Sequence, residues 1–260
     1  MQMTGNTILI TGGTSGIGFE VAGQLLEKGN TVIITGRDQQ RLEEAQKRLP
    51  KVKTLQGDVS DTIAVNDLYQ KVATEYPSIN VLINNAGIMR KINLNKPPGD
   101  LKDLTREIEI NLNGTIWMAS AFLPLLKKQP SAMIVNVSSG LAFVPLALSP
   151  IYCATKAAVH AYSQSLRIQL KNTNITVVEL APPGTETPLF RGEFTKEDVG
   201  NMKTMPVKTL VNRAIAGMEK GQLEIRPGLS NMLKIMSRVA PGFILKQLNG
   251  SIDHMLSESN

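Results

Sequence analysis

Residues 7–26 read TILITGGTSGIGFEVAGQLL, and this stretch decides the fold. The run TILIT is short, β-branched and apolar, as a buried parallel strand requires. GGTSGIG follows, and then FEVAGQLL, whose Val21, Leu25 and Leu26 fall at helical spacing. A strand, a glycine-rich turn and a helix start together make an anion site. Glycines let the backbone approach a pyrophosphate, and the unpaired N–H groups of the helix's first turn face its charge. The glycines Gly12, Gly16 and Gly18 are spaced G-x-x-x-G-x-G, not the G-x-G-x-x-G of the common dinucleotide fingerprint. Taken alone, such a turn often binds nothing, so its surroundings carry the weight.

Outward from it the same pattern repeats. TVIIT (31–35), VKTLQ (52–56), VLIN (81–84), MIVNV (133–137) and ITVVEL (175–180) alternate with longer helix-like segments. This βαβα order predicts a parallel sheet with helices on both faces, built as one domain over 1–260. The polar, irregular stretch 188–206 reads as a mobile loop. Residues 229–260 read as an amphipathic extension, with Met232, Leu233, Ile235, Met236 and Val239 at near-helical spacing and Lys234 and Arg238 between them. Pro241 and Gly242 end that pattern.

Composition excludes several classes. With 260 residues, 42% hydrophobic and 19% charged, the chain is an ordinary globular one. Its one cysteine rules out an intrachain disulfide framework and fits a reducing compartment. MQMTGNTILITGG has no basic leader or long apolar run, and no segment reaches the roughly 20 apolar residues of a membrane span. A cytoplasmic protein without membrane contact is expected. The net charge of +6 comes from 28 basic and 22 acidic residues, but the bases are scattered and aromatics make up only 4%, a poor nucleic-acid footprint. His160 and His254 stand far apart with no cysteine cluster, so no metal site is expected.

The candidate chemistry lies in IYCATKAAV (151–159). Tyr152 and Lys156 stand at i and i+4, on one face of a helix running to about Leu170. A phenol of ordinary pKa about 10 is a poor acid or base at neutral pH. A lysine at about 5 Å would supply roughly 3 kcal/mol at an effective dielectric of about 20, lowering that pKa by about two. The phenol would then approach the range where general acid–base catalysis works best. Cys153 between them reads as a small packing residue.

Six motifs in register give the chain a family resemblance. TGGTSGIG is followed by GDV (57–59), NNAG (84–87), NLNG (111–114), VSSG (137–140) and Tyr152 with Lys156. The sequence resembles a classical short-chain dehydrogenase/reductase, and its SSGLAFVPLALSPIYCATKAA and APP segments resemble a bacterial subgroup found beside genes for teichoic-acid D-alanylation. The resemblance implies a Rossmann-type, doubly wound α/β sheet of about seven strands that binds a nicotinamide dinucleotide. The glycine turn (Gly12, Thr14, Ser15, Gly16, Ile17, Gly18) would hold the pyrophosphate, Asp58 and Val59 would lie against the adenine, and Asn85, Ala86 and Gly87 near the cofactor. Tyr152 would exchange a proton with a substrate oxygen and Ser139 would hold that oxygen, with Ser138 as the competing hydroxyl. Lys156 would also contact the cofactor ribose, and Asn111 would position a water that relays protons to it. Thr187 would be a further cofactor contact, although in APPGTETPL Pro183 stands where the family has glycine. A homodimer or homotetramer paired through the Tyr152 helix is implied as well.

Cofactor choice rests on TGRDQQRL at the end of the second strand. NAD sites commonly place an acid there for the ribose 2′-OH, whereas an arginine accommodates a 2′-phosphate. Gly36 takes the acidic position and Arg37 follows, favouring NADP(H) over NAD(H). Asp38 could instead pair with Arg37 or reach the ribose, and Ser15 stands where a second basic residue is common. The leading reading is an NADP(H)-dependent oxidoreductase acting on a small-molecule carbonyl or secondary alcohol. A non-catalytic nucleotide-binding sensor on the same scaffold, and a membrane-associated module using the tail, are the alternatives.

Overall fold

The computed structural model describes residues 1–97, 99–191, 194 and 204–250. Strands β1 (Thr7–Thr11), β2 (Thr31–Gly36), β3 (Lys53–Gln56), β4 (Val81–Asn84), β5 (Ala132–Val137), β6 (Ile175–Leu180) and β7 (Glu224–Ile225) form one seven-stranded sheet. Every pair is parallel, in the order β3-β2-β1-β4-β5-β6-β7. The chain therefore winds outward from β1 to β3, then returns to lay β4 on the other side of β1 and winds outward again. This is a Rossmann-type α/β sheet, with its switch point between β1 and β4, where a crevice opens beyond the strands' carboxyl ends.

Six of the strands coincide with the apolar runs of the sequence to within one residue. β7 is not among them: its two residues are too few to show a periodicity.

Strand side chains alternate between two cores. Ile8, Ile10, Val32 and Ile34 face one layer, which includes α1 (Gly16–Glu27) and its Val21 and Leu25. Leu9, Ile33 and Leu82 face the other, with Leu68, Met118, Phe122 and Leu166. The second layer is built by α3 (Thr62–Glu75), α5 (Gly114–Lys127) and α6 (Pro150–Gln169). α2 (Gln39–Arg48) follows β2, and a short α4 (Leu101–Leu104) precedes a π-helical turn over Ile108–Asn113.

A short α7 (Pro188–Arg191) precedes the segment in which 192, 193 and 195–203 lie outside the described residues. The mobile loop expected over 188–206 falls largely there, as does Met202. α8 (Val207–Glu219) packs beside α1. The tail forms α9 (Leu229–Val239) and α10 (Pro241–Leu248), while 251–260, with His254, are outside the described residues.

The tail corrects one expectation. Pro241 ends α9 but starts α10, since proline's missing N–H costs nothing in a first turn. Leu233 and Ile244 are buried with Val144, while Met232 (45% exposed), Ile235 (52%) and Val239 (74%) face outward. Lys234, which lies between the apolar positions in the sequence, is buried and paired with Glu224. The helix is rotated so that this ion pair lies inside and half of the apolar stripe outside. No helix among the described residues is long and apolar enough to cross a membrane.

Candidate active site

Two adjoining hollows lie at the carboxyl end of the sheet. The larger, about 1520 Å³ with its open mouth, is a cleft along the β1–α1 turn and the ends of β2 and β4. Of the residues singled out from the sequence, Gly12, Thr14, Ser15, Gly16, Ile17, Arg37, Asp58, Val59, Asn85, Ala86, Gly87 and Thr187 line it. The smaller, about 870 Å³, is lined by Ser138, Ser139, Tyr152 and Lys156 and by a largely apolar wall. Ile17, Asn85, Gly87, Thr187 and Leu189 border both hollows, so the two are continuous in space.

The cleft's floor depends on glycine. Gly12 and Gly16 have φ of +64° and +55°, and a Cβ on Gly12 would stand 2.8 Å from the Ala86 Cα. Gly18 lines neither hollow. A Cβ there would fall 2.5 Å from both the Asn85 amide nitrogen and the Gly12 carbonyl. Asn85 in turn donates its side-chain amide to the carbonyls of Thr11 and Gly12, both at 3.0 Å, bracing the turn from behind.

Helix α1 begins with its cap unfilled. Asp38 caps α2 by accepting from the Arg41 N–H, and Asp61 caps α3, but Ser15 at the start of α1 makes no side-chain cap. Its first-turn donors and the positive end of its dipole are left to the cleft. At the far end of the cleft the Arg37 guanidinium has no ion-pair partner among the described residues. Asp38 does not pair with it; its carboxylate lies 3.7 Å from Arg41 Nε. Arg41, which also lines the cleft, escapes a reading of the sequence because it sits one helical turn into α2 rather than at the strand end. Asp58 accepts from the N–H (2.9 Å) and hydroxyl (2.6 Å) of Ser60, which fixes its carboxylate at the cleft edge. Uncapped helix N–H groups, left-handed glycines and an unpaired arginine make a donor set suited to a dinucleotide's phosphates.

The two serines of VSSG are separated by their partners. Ser138 donates to buried Glu179, whereas Ser139 accepts from the Leu141 N–H at 3.1 Å and lines the cavity with Tyr152. Tyr152 and Lys156 stand on α6 and are 6% and 4% exposed. Lys156 Nζ lies 5.5 Å from the Tyr152 ring centre and donates to the Val137 carbonyl at 2.9 Å. Burial drives the Tyr152 pKa well above its ordinary value, with the nearby Ser139 hydroxyl acting the other way. The same burial pushes Lys156 down to about 8. The expected lowering of the phenol by the lysine is therefore not found: desolvation outweighs the attraction of an ammonium turned toward a backbone carbonyl.

Asn111 lies behind the cavity, in the π-helical turn. Its amide donates to the Ile88 carbonyl (2.9 Å) and Thr155 hydroxyl (3.1 Å), and its side-chain oxygen accepts from the Ile88 N–H (2.8 Å). No direct hydrogen bond among the described residues joins it to Lys156. Both groups nonetheless face Gly87, where a Cβ would meet Asn111 Oδ1 at 3.1 Å and Lys156 Nζ at 3.5 Å. Thr187 packs over Gly16, and its N–H donates to the Thr185 carbonyl. Pro183 is accommodated in this loop, its carbonyl accepting from the Thr185 hydroxyl at 2.8 Å. Cys153 is buried, its Sγ accepts from the Leu146 N–H, and burial pushes its thiol up to about 11, as suits a packing residue.

A second polar cluster gives no sign in the sequence. His160 Nδ1 is 2.7 Å from Glu179 and 4.0 Å from Glu224, residues on α6, β6 and β7 that only the fold brings together. Glu224 also pairs with Arg226 and Lys234. Its burial works to raise its pKa, but the Lys234 hydrogen bond and the nearby cations bring it below the ordinary value.

Comparison with known proteins agrees with this fold. The short chain dehydrogenase family model matches residues 6–198. The chain is similar to the uncharacterized oxidoreductase DltE of Bacillus subtilis, 43% identical over 249 residues that cover 96% of this chain and 98% of the relative. Among solved structures it is similar to a short chain dehydrogenase of Burkholderia cenocepacia in complex with NADP (TM-score 0.81, 26% identity, 95% and 99% of the two chains). A short-chain dehydrogenase of Sphingobium yanoikuyae in complex with NADPH is another (TM-score 0.79, 27% identity, 92% and 94%). The chain belongs to the short-chain dehydrogenase/reductase family and is an NAD(P)-dependent oxidoreductase.

Proposed function

We propose that the protein interconverts a carbonyl compound and its secondary alcohol with NADP(H), using Tyr152 as the proton-transferring group. The observation that carries this reading is the convergence of Tyr152, Ser139 and Lys156 on one cavity that adjoins the glycine-lined cleft. When bound, a nicotinamide dinucleotide supplies the hydride to the carbonyl carbon or accepts it from the alcohol. The α1 N-terminus and the Gly12–Gly16 turn would hold its pyrophosphate, and Asp58 and Val59, which line the same cleft, would lie toward its adenine. Tyr152 gives its proton to the oxygen that gains charge, and Ser139 donates a second hydrogen bond to that oxygen. A phenol kept protonated by burial is in the form this reduction needs. Lys156, still largely charged at neutral pH with its pKa near 8, stabilises the phenolate left behind. Asn111 holds the backbone beside Gly87 and Lys156, and so acts through its neighbours.

The preference for NADP(H) is supported by Arg37 and Arg41 in the cleft and by Gly36, which offers no carboxylate at the strand end. The proposal extends to a homodimer or homotetramer, supported by exposed Ile168 on α6; sedimentation showing only monomers at micromolar concentration would refute that part. The test of the reaction is a library of carbonyls and alcohols followed at the NADPH absorbance. Turnover with any member, lost in Tyr152→Phe, supports the reading. Tight NADPH binding with no turnover across the library refutes it.

A further inference from the structure

The cavity beyond Tyr152 is lined by polar groups most of which are already engaged. The Ser138 hydroxyl donates to Glu179, the Thr185 hydroxyl to the Pro183 carbonyl and the Asn85 amide to the β1–α1 turn, while Ser139, Tyr152 and Thr187 complete the polar lining with Lys156. Much of the rest is Met89, Leu141, Leu146, Leu229, Leu233 and Leu248. Lys156 is the one charged side chain among the described lining residues, and its ammonium is occupied by the Val137 carbonyl. Lys234, on the helix that supplies Leu229 and Leu233, turns to Glu224 and to the Phe143 ring, its Nζ 5.3 Å from the ring centre. The wall is also a packed one. Met89, Leu146 and Tyr152 share a buried cluster against which Leu141, Phe194 and Leu248 pack, while Leu233 is buried with Val144 and Ile244.

We infer that the substrate is an uncharged carbonyl compound carrying a hydrocarbon substituent of several carbons, and that the α9–α10 tail provides the wall that receives this substituent. The inference rests on the carbonyl-reducing reading above and specifies its substrate class. Against Met89 and these leucines a carboxylate or phosphate on the substituent would be desolvated, with no cation among the described lining residues but the already engaged Lys156. A hydrocarbon gains by the same burial. The reaction balances as ketone plus NADPH plus one proton giving alcohol plus NADP⁺: hydride goes to carbon, the Tyr152 proton to oxygen, and solvent restores the tyrosine.

The probes are 2-butanone, 2-hexanone and 2-octanone, with 7-oxooctanoate as the counterpart of 2-octanone in which a carboxylate replaces the terminal methyl. Calorimetric binding to the full-length protein saturated with NADP⁺ reads affinity without turnover, and NADPH oxidation is followed separately. Affinity is expected to rise about fourfold per added methylene, equivalent to about 0.8 kcal/mol each. It should fall at least about tenfold from 2-octanone to 7-oxooctanoate. Leu248→Lys, at a half-buried position near the chain's described end, should narrow that ratio by about tenfold; Leu141→Lys is the second variant if the first fails to fold. Affinity that is flat along the series, 7-oxooctanoate bound as well as 2-octanone, or a ratio unmoved by the lysine variants overturns the inference. Turnover of 7-oxooctanoate in preference to 2-octanone also overturns it while leaving carbonyl reduction standing. The expected binding gradient with no NADPH oxidation supports the apolar pocket and instead refutes the proposed reaction.

Discussion

Replacing Lys156 by methionine tests whether a buried ammonium is held in the site against its own desolvation. In the folded protein the group's pKa is pushed from 10.5 to about 8 by burial. At 1.36 kcal/mol for each pKa step, that gap costs the fold about 3 kcal/mol at pH 7, where the lysine is charged in both folded and unfolded chains. Between about 8 and 10.5 the unfolded chain holds the proton and the folded one has lost it, so stability rises with pH through this window. The wild type should therefore gain about 2.5 kcal/mol relative to Lys156→Met from pH 7 to pH 10, mostly above pH 8. Burial raises the pKa of Tyr152 and Cys153, which makes stability fall at alkaline pH, but both residues are present in the two proteins and cancel to first order in the difference. Urea unfolding at pH 7, 8, 9 and 10, with the two midpoints compared at each pH, measures it. A difference that stays flat over that range would mean that Lys156 keeps an ordinary pKa and that its burial does not set its charge.

Three further outcomes are expected. Tyr152→Phe should lower turnover by about 10² to 10⁴ while leaving the NADPH dissociation constant within about threefold, as fluorescence titration would show; activity within tenfold of wild type would mean that another group moves the proton. Arg37→Asp should weaken NADPH by at least about tenfold and reverse its order with NADH, and an unchanged order would remove Arg37 from the 2′-phosphate site. Gly18→Ala should destabilise the fold by at least about 1 kcal/mol, because its Cβ would lie 2.5 Å from Asn85 and the Gly12 carbonyl; a thermal midpoint equal to wild type would show that the turn can yield.

What the sequence revealed depended on whether the signal was local. Buried parallel strands announce themselves as short apolar runs, so β1 to β6 were legible, and the β1–α1 turn carried its glycines in one stretch. β7 was not legible, since two residues have no period and its place is fixed by pairing with β6. The candidate site followed the same division. Tyr152 and Lys156 share a helix face and could be paired from their spacing, but burial, which governs their proton affinities, depends on distant segments such as the Leu146 loop. Ser139 could be set above Ser138 by family spacing, but the physical reason, Glu179 taking the Ser138 hydroxyl, comes from a strand 41 residues away. His160, Glu179 and Glu224 come from three elements, and nothing in the chain joins them. The tail showed its amphipathic period, but not its rotation, because a buried lysine is readable only with its partner in view.

That buried pair also bears on how the cavity can diverge. Helix α9 is held to the sheet edge by Lys234 on Glu224 and packs closely on the VSSG turn, where the Ser230 hydroxyl would lie 2.7 Å from a Cβ on Gly140. Leu229 and Leu233, one turn apart on the same helix, face the cavity instead. Attachment and lining thus belong to different residues. Removing Lys234 would take away the pair that holds α9 to the sheet edge, although Glu224 keeps its pairing with Arg226. Exchanging one leucine for another apolar residue of similar volume costs less than about 1.5 kcal/mol. Drift in this chain can therefore retune what the cavity admits while the helix that forms its wall stays docked, so substrate range and fold are open to change at separate positions.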